Sequence, residues 1–131
     1  MKTTLTTVLL TVLTAFTLAC GYSSKATTPA QPGTMPTIVT LSPPNTTHGD
    51  PAFVLTVTGT NFSGTAVINF NGTAQTTNPV SATQLTATIP AADIANAGTA
   101  PVTITNPGTA GGIYGGGTLP ETSAAMTFTI N

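Results

Sequence analysis

Two neighbouring stretches with a two-residue period constrain this chain more than anything else in it. In residues 52–60, Phe53, Leu55 and Val57 alternate with Val54, Thr56 and Thr58, so one face can enter a core while the other meets water. Gly59-Thr60-Asn61 breaks the run, Phe62 supplies an apolar anchor under the bend, and Ser63-Gly64 turns the chain. Residues 67–70 resume the strand with Ile68 and Phe70 on one face, and Asn71-Gly72 is the strongest short hairpin signal. Two strands joined by a turn, each with one face for a core, point to a β-sandwich.

The remaining segments repeat the pattern. Residues 36–44 read as a first strand closed by Pro43-Pro44, since proline cannot donate to a ladder. Residues 45–51 form a polar loop with His48 and Asp50, and residues 73–80 a short, weak edge strand. Residues 84–89 alternate, with Leu85, Ala87 and Ile89 inward. Pro90 and Gly98 bracket a short helical turn near residues 91–97. Residues 101–106 make another strand, with Val102 and Ile104 inward. Residues 108–120 make a loose glycine-rich loop, and residues 124–130 a closing strand with Met126, Phe128 and Ile130 inward. Strands at short intervals with turn signals between them predict an all-β, antiparallel, immunoglobulin-like sandwich over residues 36–131.

Charge narrows the function. Only 4% of the 131 residues are charged, against about 25% in an ordinary soluble protein. Solubility must therefore come from the hydroxyls and amides of Thr, Ser and Asn. The two cations, Lys2 and Lys25, both precede the domain, and residues 26–131 contain neither Lys nor Arg. A nucleic-acid surface needs cations to displace phosphate counterions, so no nucleic-acid partner is expected. Electrostatic attachment to anionic lipid is unsupported for the same reason.

The N-terminus carries an address. Met1-Lys2 followed by an apolar run from Leu5 to Ala19 suits a signal peptide at residues 1–19 and is too short for a confident membrane span. The run ends at Ala19-Cys20, which resembles the lipobox of bacterial lipoproteins, with Thr17 where Leu is usual. That resemblance implies lipidation of Cys20 and anchoring of the exported chain to a membrane of the cell envelope. Cleavage by the general signal peptidase at the same bond, releasing a secreted protein with a free thiol, is the alternative. Residues 21–36 contain Ser, Thr, Pro and Gly without apolar periodicity, so residues 20–35 are expected to act as a disordered tether.

Several motifs in order carry a family resemblance: Leu55-Thr-Val-Thr-Gly-Thr-Asn-Phe62, Val67-Ile-Asn-Phe-Asn-Gly72, Thr83-Gln-Leu-Thr-Ala-Thr-Ile-Pro90, Ile94-Ala-Asn-Ala-Gly98 and Val102-Thr-Ile-Thr-Asn-Pro107. Together they resemble an IPT/TIG domain, the immunoglobulin-like early-set module of receptors, some transcription factors and bacterial envelope proteins. The resemblance implies a sandwich used for interaction or spacing, without catalytic residues of its own. The basic loops of the transcription-factor branch are missing here.

No enzyme is expected. His48 and Asp50 share a loop, but there is no second His, and the other domain carboxylates, Asp93 and Glu121, are scattered. Zinc needs three or four ligands and calcium six to eight oxygens, so neither a metal nor a cofactor is expected. The one loop singled out for binding is residues 111–117, where Ile113 and Tyr114 are flanked by glycines. The reading is a lipid-anchored interaction or adhesion module with a protein partner. The alternatives are a passive spacer or surface-assembly subunit, and a carbohydrate-binding domain, for which one domain tyrosine and no tryptophan make a thin platform.

Overall fold

The alternating segments become strands because their apolar side chains can all be buried from one face. The computed structural model describes residues 28–113 and 115–131. One sheet has the order β1-β3-β7-β6, formed by β1 (Thr37–Ser42), β3 (Phe53–Thr60), β7 (Gln84–Ile89) and β6 (Thr77–Ser81). The other has the order β2-β10-β8-β4-β5, formed by β2 (Asn45–Thr46), β10 (Met126–Ile130), β8 (Gly98–Asn106), β4 (Val67–Phe70) and β5 (Thr73–Ala74), with β9 (Glu121–Thr122) also on β8. All pairings are antiparallel except that of β2 with β10. This is the immunoglobulin-like sandwich that the alternation predicts.

The core is the sum of the inward positions. Leu55, Val57, Leu85, Ala87 and Ile89 face Ile68, Phe70, Val102, Ile104 and Phe128, all buried. Phe128 is the centrepiece, stacked on Phe53 at 5.6 Å and edge-on to Phe70 at 5.4 Å between centroids. Such aromatic pairs add about 0.5–1.5 kcal/mol each beyond the area they bury. Phe62 and Ile94, from opposite ends, close the core.

Four expectations change. The polar stretch at 73–80 is not one edge strand: β5 pairs with β4 in one sheet and β6 with β7 in the other. The chain changes sheets at Gln75-Thr76. There Gln75 N–H donates to Ile68 O (2.8 Å), and the Thr77 hydroxyl both accepts from Ile68 N (2.8 Å) and donates to Gln75 O (3.0 Å). The first strand does end at Pro43-Pro44, but the polar loop after it is not all loop: its first residues form β2, which joins β10. The helical turn near 91–97 is a single 3-10 turn, Ala91–Ile94, and Gly98 already begins β8. The closing strand starts at Met126 rather than at 124 and is preceded by β9; between the two, Ser123 N–H donates to Ile104 O (2.8 Å) while its Oγ accepts from Ile104 N (3.0 Å). A hydroxyl thus takes the place of a ladder carbonyl and keeps the Ile104 N–H paired where β9 and β10 share one side of β8.

The register defines two ends. Thr37 lies opposite Thr60, and Val67 opposite Thr105, so the N-terminal segment, the 61–66 turn and the 107–120 loop share one end, here the near end. Phe53 lies opposite Ile89 and Ile130 opposite Gly98, so residues 43–52, 71–72 and 90–97 gather at the far end.

Candidate functional site

At the far end, Asp50 acts within its own loop, whereas His48 reaches the residue after β10. Asp50 Oδ2 accepts from Thr47 N (3.0 Å) and from the Thr46 hydroxyl (3.1 Å), closing a turn. His48 Nδ1 sits 2.7 Å from Asn131 O, and because a carbonyl only accepts, the ring must be the donor. Gly49 N–H donates to Ile94 O (3.0 Å), joining this loop to the 3-10 turn. Asp93 is held by Gln75 Nε2 at 2.7 Å. Among the described residues, no three of His, Cys, Asp and Glu come together in a way that could hold a metal ion. A shallow hollow of about 330 Å³ lies beside the turn, lined by Asn71, Asp93, Asn96, Thr99 and Ala100 among others. The side chains of Asn71, Asp93, Asn96 and Thr99 can meet a partner's hydrogen-bonding groups there.

The near end is built differently. The glycine-rich stretch is expected to be loose, but its backbone is largely paired. Thr109 and Thr118 exchange two backbone hydrogen bonds at 3.1 Å each, and Gly115 N–H donates to Gly112 O at 2.9 Å. The preceding segment runs beside it: Gly116 N–H donates to Thr28 O (2.7 Å), Gln31 N–H to Gly117 O (3.0 Å) and Leu119 N–H to Gln31 O (2.9 Å). Part of the stretch expected to be a free tether, residues 28–35, is therefore docked on the domain. Glycine makes the approach possible. A Cβ on Gly111 would lie 2.2 Å from Gly116 O, and one on Gly117, at φ +96°, 2.3 Å from Thr109 O.

Asn106, which the sequence analysis passes over, fastens this end. It is buried at the end of β8; its Nδ2 donates to Asn61 O (2.7 Å) and Thr34 O (2.8 Å), and its Oδ1 accepts from Ser63 N (3.0 Å). Three segments distant in sequence meet on one amide. No local pattern could have revealed it, because its partners lie 43 to 72 residues away.

Of the residues singled out from sequence, Ile113 is at the tip of the near-end loop and 78% exposed. Tyr114 and Cys20 lie outside the described residues, as do residues 1–19, expected to be a signal peptide, and the rest of residues 20–27. Among the described residues no helix is long and apolar enough to cross a membrane. The family model described as the IPT/TIG domain matches residues 36–120, stopping just before β9 and β10. No curated protein and no solved structure matches the chain.

Proposed function

The chain belongs to the IPT/TIG domain family, and from that premise we propose that it is an exported lipoprotein whose sandwich acts as a non-catalytic interaction module. The lipid is carried on Cys20, and the partner is a protein of the cell envelope. Membership gives the immunoglobulin-like module, a type often found in surface and interaction proteins. One structural observation carries the rest: the N-terminal segment joins the sandwich at the near end, so a chain anchored through that segment turns its far-end loops outward. A partner meets residues 43–52, 71–72 and 90–97 first. The polar hollow beside Asp93 and Asn96 offers it hydrogen-bonding groups with no cationic side chain to compete.

Two measurements test this reading. In cells, Cys20→Ala should move the protein from the membrane pellet to the soluble fraction, and an unchanged pellet would sink the lipoprotein reading. A photo-crosslinker at Asn96 in the full chain should capture an envelope protein. If that position captures nothing, the module is a spacer.

A further inference from the structure

The two ends differ in one property that the family does not explain. Among the described residues, six large hydrophobic side chains are exposed: Met35, Val39, Val54, Val80, Ile113 and Leu119. Only Val54 lies toward the far end; the register sets the other five at or beside the near end. The carboxylates divide the opposite way. Asp50 and Asp93 are at the far end with His48, and the near end has only Glu121, half-buried next to Gly33. An apolar end and an acidic end stand on opposite sides of one small domain.

We propose that the near end is a lipid-facing surface, with Ile113, Leu119 and Met35 resting in the interfacial layer of the bilayer and Val39 and Val80 at its margin. The proposal deepens the function above and rests on the anchoring of Cys20. Thr28, the first described residue, pairs with this very loop and follows Cys20 by eight positions. Eight residues reach at most about 28 Å when fully extended, so an anchored Cys20 keeps the near end within one bilayer thickness of the membrane. Lys25, the one cation after Lys2, falls in that short connection, where anionic headgroups favour it.

The loop is built for such a setting. Backbone N–H and C=O groups enter a lipid interface at less cost when they are already paired. Here the paired ribbon of residues 28–31, 109–112 and 115–119 satisfies much of the backbone, leaving Ile113 on a turn closed by the Gly112–Gly115 hydrogen bond. Attachment by apolar contact rather than by charge fits a domain without Lys or Arg, and it should persist at high salt.

The chain contains no tryptophan, so single-tryptophan variants report depth directly. Full-length Ile113→Trp and, as the far-end control, Asn96→Trp are extracted from membranes and reconstituted into phosphatidylglycerol–phosphatidylethanolamine vesicles containing brominated lipid. The expected result is quenching at position 113 at least about threefold stronger than at position 96, unchanged by high salt. Equal, weak quenching at both positions overturns the proposal. Because an introduced tryptophan can itself seek the interface, Leu119→Trp serves as a second reporter. Adding Ile113→Asn should weaken its quenching about twofold, and no change would also overturn the proposal. The intact mass of the same protein reports acyl chains on Cys20. If they are missing, the anchor reading fails by itself. The Cys20 thiol is then coupled to a maleimide lipid, and the quenching ratio again decides the orientation.

Discussion

Replacing Asn106 by Ala tests whether one buried amide holds the near end together. The substitution removes two donated hydrogen bonds, to Asn61 O and Thr34 O, and one accepted from Ser63 N, all between 2.7 and 3.0 Å. Each such bond contributes about 1 kcal/mol net, so the loss should be about 3 kcal/mol. Water entering beside Asn61 and Thr34, which are exposed, would bring this toward about 2 kcal/mol. For a domain of about 95 residues, that lowers the melting temperature by roughly 10–20 °C. Thermal and urea unfolding followed by circular dichroism would measure it. Asn106→Asp sharpens the test, because a carboxylate would face the two carbonyls that the amide now serves. Their repulsion and burial raise the introduced group's folded pKa above its unfolded value of about 3.9. The folded state then binds more protons than the unfolded state, so this variant should be most stable below about pH 4 and lose stability as pH rises through the folded pKa. A loss under about 0.5 kcal/mol for Asn106→Ala would refute the clamp, as would a pH-independent stability for Asn106→Asp.

Two further substitutions probe the frame. A Cβ at Gly59 would lie 2.0 Å from Thr37 O and 2.5 Å from the Phe62 ring, so Gly59→Ala must push β1 away from β3. It should destabilise by about 3 kcal/mol in urea titrations, and a neutral result would mean that the strands can separate freely. Phe128→Ala removes both aromatic contacts and leaves a cavity between the sheets. A loss of about 3–5 kcal/mol is expected, with a lowered urea midpoint as the readout.

Much of the fold was legible because alternation is a local property. Leu55, Val57, Leu85, Ala87, Ile89, Ile104 and Phe128 are all buried, as the two-residue period requires. The crossings between sheets were not legible. Residues 73–80 carry no strong alternation, and their division into β5 and β6 depends on a hydrogen bond that Ile68 O accepts from Gln75 N–H and one that Ile68 N–H donates to the Thr77 hydroxyl. The extra length of β8 had the same cause: β4 pairs with its last part and β10 with its first, so only both partners together define the strand. At the candidate site, glycines on either side marked Ile113 as a loop tip. Nothing local joined it to Met35 or Leu119, because proximity at the near end comes from register.

By itself, then, the sequence determined the sandwich, the inward face of each main strand, the absence of Lys and Arg from the domain and the position of the one cysteine, Cys20. These are matters of period, composition and order, which a chain carries before it folds. The tertiary structure decided where the chain changes sheets, that residues 28–31 dock on the glycine-rich loop, and that exposed apolar side chains gather at one end and two of the three carboxylates at the other. Those outcomes depend on pairing between residues far apart in sequence, such as Asn106 with Thr34, and only the assembled sheets bring such groups within hydrogen-bonding distance.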